Sequence, residues 1–289
     1  MRINGFRLGL MMVITLFAGA CAGPQVQPTP TQKPAKVAVV LGAGAAKGFA
    51  HIGVLKVLEA QKVPVQMIVG TSVGSFVGSL YAYGYDAYAL QKMALSLERS
   101  DIAELTIPDR GFLKGERLRD YVNAKVRNST IEKLKIPFYA VATNIKTGAE
   151  AVFATGNTGM AVQASSAIPG VFQPAAFSGT SYVDGGVVNP LAVDVARRYG
   201  ADAVIAVDIT AGIDQTIPTG TIETILKSID IMYNKISQSQ VSKADVVIRP
   251  MVGLVGAADF ARRNEAIMEG ERAALAAMPR INEILGRQR

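Results

Sequence analysis

The chain has 289 residues, enough for one sizeable core and less than two large domains require. Of these, 49% are apolar and 18% charged, which excludes extended disorder. The formal charge of +7 is not clustered and no nucleic-acid-binding motif accompanies it, so nucleic acid is excluded as a partner. The charge reads instead as a solvated face with a weak attraction for anionic headgroups.

In chain order, Arg2 and Arg7 precede an apolar run from Leu8 to Ala18 and then Gly19-Ala20. That is the pattern of a secretory signal peptide over residues 1–20, too short and wrongly flanked to span a membrane. Ala18-Gly19-Ala20 suits ordinary cleavage, and together with Cys21 it resembles a bacterial lipobox. Both routes leave Cys21 first. It is the only cysteine, so no intramolecular disulfide can form, and an acyl anchor on Cys21 is the expectation. By resemblance to bacterial lipoproteins, Ala22 after the cysteine implies an outer-membrane protein facing the periplasm. Residues 22–35 are proline-rich and polar and read as a tether, with one domain running from about Lys36 to the end.

Lys36–Leu41 is a continuous apolar run, as in a strand buried on both faces. It gives way to Gly42-Ala43-Gly44-Ala45-Ala46-Lys47-Gly48 and then a helical pattern with Ala50, Ile52, Val54, Leu55 and Leu58. A second apolar run, Val65–Val69, leads to Gly70-Thr71-Ser72-Val73-Gly74 and a small-residue helix over 73–83. Strands are expected at 136–144, 150–153, 203–209 and 244–249, and helices at 159–168, 191–199 and 221–241. Residues 101–115 mix Pro108, Gly111 and apolar side chains, as a flap or site wall does. Apolar residues recurring from Phe260 to Leu285 predict an amphipathic helix over about 260–289, with Pro279 as a candidate break. Alternating strands and helices of this kind predict an α/β sheet with ligands at the strand carboxyl ends.

A serine between two glycines at a strand-to-helix turn is what a nucleophile elbow requires. The glycine loop has two readings. As a dinucleotide fingerprint its third glycine is displaced by one, and the next strand closes on the serine rather than on an acidic residue. As an oxyanion loop, its amides would face charge developing on a carbonyl oxygen. Lys47 reads as a solvated or phosphate-facing cation. The base is harder to find, because His51 is the only histidine and it precedes the serine. An ordinary hydrolase triad places its histidine late in the chain. A carboxylate is therefore the leading candidate: Asp184 before Gly185-Gly186, then Asp208 at the end of a strand. Asp-Gly is also a hairpin-turn signal. No cysteine–histidine cluster offers a metal site, and no cofactor is expected.

The glycine loop with FAHIGVLKVLE after it, the Gly70–Gly74 elbow, and Asp184-Gly185-Gly186 followed by VVNP together resemble the patatin-like phospholipase family. The resemblance runs from about Lys36 to Ile209. It implies a three-layer α/β/α fold with a mainly parallel sheet, and hydrolysis of a lipid or phospholipid ester without a metal. It also implies a Ser-Asp dyad in which Ser72 matches the nucleophile and Asp184 its partner. Gly42, Gly44, Ala45 and Ala46 fall in the oxyanion loop, with alanine at positions 43 and 45 where many members have glycine. A non-catalytic lipid- or partner-binding lipoprotein on the same fold is the alternative.

Overall fold

A computed structural model describes residues 35–106, 111–212 and 217–287. The signal segment, Cys21 and nearly all of the tether lie outside the described residues, as do 107–110 of the expected flap.

Ten strands are present among the described residues: β1 (Val37–Leu41), β2 (Met67–Thr71), β3 (Glu104–Leu105), β4 (Leu113–Lys114), β5 (Phe138–Asn144), β6 (Glu150–Phe153), β7 (Ala175–Phe177), β8 (Thr180–Asp184), β9 (Ala203–Val207) and β10 (Val246–Ile248). Nine helices join them: α1 (Phe49–Ala60), α2 (Val73–Tyr83), α3 (Ala87–Ser96), α4 (Arg99–Ile102), α5 (Glu116–Lys125), α6 (Thr158–Ser165), α7 (Val193–Arg198), α8 (Thr221–Val241) and α9 (Arg263–Arg287). The main sheet runs β10-β9-β1-β2-β5-β8-β7, with β6 also paired to β5. β10, β9, β1, β2 and β5 are mutually parallel, and β6, β8 and β7 form the antiparallel part.

The apolar run of β1 is explained by cover on both faces. Val37, Val39 and Leu41 pack into the layer made by α1, α2 and α9, whereas Ala38 and Val40 pack against α7. The result is the three-layer α/β/α sandwich with a mainly parallel sheet. The last helix departs from expectation, because α9 passes through Pro279 without a break. A mid-helix proline costs about 3 kcal/mol. Here Ala274, Met278, Ile281 and Ile284 bury into one core on both sides of it, which outweighs that cost. Asp184-Gly185 is not a hairpin turn either: β8 runs directly into a 3-10 turn over Gly185–Val187. Among the described residues no helix is long and apolar enough to cross a membrane.

The pairing of β5 fixes where the loops meet. Residues 140–143 pair with β6, so β2 (along 138–141) and β8 (along 142–144) must share the opposite edge of β5. β2 runs parallel to β5 and β8 antiparallel. Their carboxyl ends therefore approach head to head, Thr71 opposite Val141 and Asp184 opposite the next residue, Ala142.

Candidate active site

Ser72 lies between the last residue of β2 and the first of α2, with φ 56° and ψ −126°. Non-glycine residues seldom adopt a positive φ, and such strain persists only where the surroundings enforce it. Gly74 makes the sharp turn feasible, since a Cβ there would stand 2.0 Å from the Leu41 carbonyl oxygen. Gly70 backs directly onto Gly74 across the elbow. The Ser72 amide donates to Ser165 Oγ (2.9 Å), which donates in turn to the Val141 carbonyl (2.6 Å). Ser75 Oγ donates to the Ser72 carbonyl (2.7 Å).

The head-to-head approach of β2 and β8 brings Ser72 and Asp184 together, and the Ser72 hydroxyl donates to Asp184 Oδ2. Asp184 is fully buried and Ser72 is 2% exposed. The Gly186 amide donates to Asp184 Oδ1 (2.7 Å), and Thr143 Oγ1 donates to the Asp184 carbonyl (2.9 Å). Loss of solvent pushes the Asp184 carboxyl up to about 6, against hydrogen bonds from Ser72 and Gly186 that favour its charged form. An aspartate near 6 is ionised at neutral pH and still basic enough to accept a proton there.

The glycine loop comes apart into donors that are used and donors that are not. The Gly42 amide is taken by Val207 O, Ala43 by Pro190 O, Ala46 by Ala257 O and Lys47 by Gly44 O. Among the described residues the amides of Gly44 and Ala45 have no acceptor, and neither has that of Val73 at the start of α2. Ala45, Ala46, Gly48, Ser72 and Val73 all line one cavity.

Three other candidate residues have different tasks. His51 is fully buried, and its Nε2 donates to the Gly42 carbonyl at 2.8 Å. A carbonyl can only accept, so Nε2 carries the proton and Nδ1 is the unprotonated nitrogen. Burial lowers its pKa to about 4, so at neutral pH it is an uncharged prop for the loop. Asp208 accepts from the amide and hydroxyl of Thr210 (3.0 and 2.7 Å) and pairs with Arg249, closing the turn after β9. Lys47 is neither solvated nor phosphate-facing: it is 1% exposed, with Nζ 2.6 Å from Asp230 Oδ2 on α8. A cation removed from water needs such a partner. Asp230→Asn would strip it, and a loss of about 3 kcal/mol in urea unfolding is the expected result. An unchanged midpoint would show that Asp230 does not carry that charge.

The cavity has a volume of about 720 Å³, in the range of small-molecule sites. Its walls are largely apolar: Phe49, Ile52, Phe76 and Leu80 from α1 and α2, Leu90 and Met93 from α3, and Leu118 and Tyr121 from α5. Ile102, Leu105 and Leu113, from the segment read as a flap, belong to the same wall. Among the described residues no three His, Cys, Asp or Glu side chains gather as a metal site. Sequence reasoning missed Ser165, Thr143, Asp230 and Tyr233. Each lies in an ordinary helix or strand pattern, and only its neighbours across the fold distinguish it.

A sequence profile described as patatin-like phospholipase matches residues 39–197, more than half of the chain. The chain belongs to the patatin-like phospholipase family. The chain is 36% identical over 181 residues to patatin-like phospholipase domain-containing protein 6 of Mus musculus, covering 60% of this chain and 13% of that protein. It is 37% identical over 191 residues to lysophospholipase NTE1 of Coccidioides immitis, covering 64% and 12%. An uncharacterized NTE family protein of Mycobacterium tuberculosis is 38% identical over 178 residues, covering 60% and 49%. The chain thus spans between 12% and 49% of the length of these relatives. The matched region holds the glycine loop, the serine elbow and the Asp184 turn, but ends before α8.

Proposed function

We propose that this patatin-like domain is a serine lipid acyl hydrolase that cleaves a carboxylic ester with a Ser72–Asp184 dyad. The observation that carries the reading is the buried Ser72–Asp184 hydrogen bond opening onto an apolar cavity. Asp184 takes the hydroxyl proton as Ser72 Oγ bonds to the ester carbonyl carbon. The oxyanion that forms is held by loop and helix amides, with those of Gly44, Ala45 and Val73 free to donate. Asp184 returns the proton to the departing alcohol, leaving an acyl-serine. Water then gives a proton to Asp184 and adds to the acyl carbon, and collapse releases the fatty acid and regenerates Ser72.

A lipid or lysophospholipid ester suits the site because the cavity walls are aliphatic and aromatic. The names of two relatives, a patatin-like phospholipase and a lysophospholipase, agree with that substrate class. Two of the cavity's own lining side chains, Leu105 and Ile222, are 80% and 41% exposed apolar groups, which suits a site that meets a lipid surface. The test is hydrolysis of a short-chain ester together with labelling of Ser72 by a fluorophosphonate. A protein that neither hydrolyses nor labels is instead a binding lipoprotein on this fold.

Anchorage at the bacterial envelope through Cys21 belongs to the same proposal. Intact-mass measurement of the mature protein should find a chain starting at Cys21 that carries acyl groups. An unmodified Cys21 would remove the anchor from the reading.

A further inference from the structure

Helix α8 lies beyond the matched family region, yet two of its residues, three positions apart on one face, reach both halves of the site. Asp230 pairs with Lys47 of the glycine loop. Tyr233, 4% exposed, lays the tip of its ring against the Asp184 turn, where a Cβ on Gly186 would stand 2.3 Å from Tyr233 Cζ. The hydroxyl favours the ionised Asp184, yet among the described residues it has no hydrogen-bond partner. A buried hydroxyl left in that position is unusual, because unpaired polar atoms are disfavoured in a core. In the resting arrangement Asp184 has its two donors already, Gly186 N–H on Oδ1 and Ser72 O–H on Oδ2.

We infer that Tyr233 is a positioning residue whose hydroxyl is the reserve donor to Asp184, engaged when Ser72 is acylated and no longer has a proton to offer. The inference rests on the hydrolase reading above. In the acyl-serine, Oγ is an ester oxygen and donates nothing, so the Asp184 carboxylate faces a dry interior with the Gly186 amide alone. A small movement of Tyr233 aligns its O–H on the Oδ2 side vacated by Ser72. The phenol keeps its proton throughout, since burial and the nearby Asp184 charge hold its pKa well above the ordinary value. Water then enters, donates its proton to Asp184 and attacks the acyl carbon, and the tyrosine hydroxyl reverts to its unpaired position.

Other groups facing Asp184 do not compete for this role. Ser72 comes from the β2–α2 turn, Thr143 from β5 bonds the Asp184 carbonyl, and Ser165 from α6 is engaged by the Ser72 amide and the Val141 carbonyl. Asp230 on α8 itself is paired with Lys47. Of the described residues that act on the carboxyl, Tyr233 is the titratable one.

Tyr233→Phe keeps the ring against Gly186 and removes the donor alone. Wild-type and variant are compared by the pH dependence of pre-steady-state hydrolysis of a p-nitrophenyl ester and by fluorophosphonate labelling. The variant is expected to label as the wild type does, because Ser72 still donates to Asp184 in the free enzyme, while the acidic limb of its deacylation rate moves up by about one pH unit. It should also show a burst followed by a steady state slowed about 10-fold, because acyl-serine accumulates. Incorporating 3,5-difluorotyrosine at position 233, a stronger donor of nearly the same shape, should move the limb the other way. A limb unmoved in both proteins, with no burst in Tyr233→Phe, would overturn the inference while leaving the dyad intact. Absence of labelling in the wild-type protein would instead sink the hydrolase reading itself.

Discussion

Replacing Ser72 by alanine is expected to lower ester hydrolysis by about four orders of magnitude or more and to leave the protein folded. The backbone of position 72 is held through its amide on Ser165 and its carbonyl on Ser75, neither of which involves the serine hydroxyl. Alanine at a φ of 56° is no more strained than serine, so the elbow should persist. What disappears is the nucleophile. Fluorophosphonate labelling should vanish with hydrolysis, whereas the circular dichroism spectrum and the unfolding midpoint should not fall. A double replacement of Ser72 and Asp184 should be no worse than Ser72→Ala alone, because the two side chains act as one unit. Hydrolysis that survives in Ser72→Ala would place the chemistry elsewhere and end the proposal.

The second large effect has opposite signs for activity and stability. Asp184→Asn should abolish hydrolysis, since an amide cannot accept the Ser72 proton, yet the protein should become more stable at neutral pH. Asp184 titrates near 6 when folded, against an ordinary 3.8. Between those values the folded chain binds more protons than the unfolded chain, so stability falls as pH rises through that window and stays lower above it. A displacement of this size corresponds to roughly 3 kcal/mol on the alkaline side. Asparagine preserves the Gly186 hydrogen bond and the shape without the buried charge. Urea unfolding at pH 4 and pH 7.5 provides the check: the wild-type protein should lose ground to Asp184→Asn as the pH rises. A variant that is less stable than wild type at both pH values would mean that the ionised carboxylate is well compensated in the fold. In the expected case, where Asp184→Asn gains on the wild type at pH 7.5, the site stores destabilisation for function, as active sites commonly do.

Ser72 and Asp184 stand out in the chain because their signals are local. Gly70–Gly74 combines a strand, two glycines and a helix start within a few residues, and a turn of that kind is specified by short-range sterics. The scarcity of histidine was equally informative, since it left a carboxylate as the leading base. The glycine loop was legible as a loop but not in its division of labour. Which amides are free depends on acceptors supplied by Val207, Pro190 and Ala257, far away in the chain. Lys47 was misread for a related reason. A lysine in a polar glycine-rich stretch looks solvated, and its burial is decided by Asp230, 183 residues later.

The sequence by itself determined the alternation of strands and helices, the apolar faces that make three layers, and the serine elbow. Each of these is a pattern of neighbours, and hydrophobic periodicity or turn chemistry is enough to write it. Only the tertiary structure decided that β2 and β8 meet end to end on one edge of β5, because strand register is a property of pairing and not of either strand. It also decided that α8, which carried no motif, lies across the site with Asp230 on the glycine loop and Tyr233 on the Asp184 turn. The chemistry-bearing residues are written locally, while the groups that tune their charge come from whatever the fold packs against them.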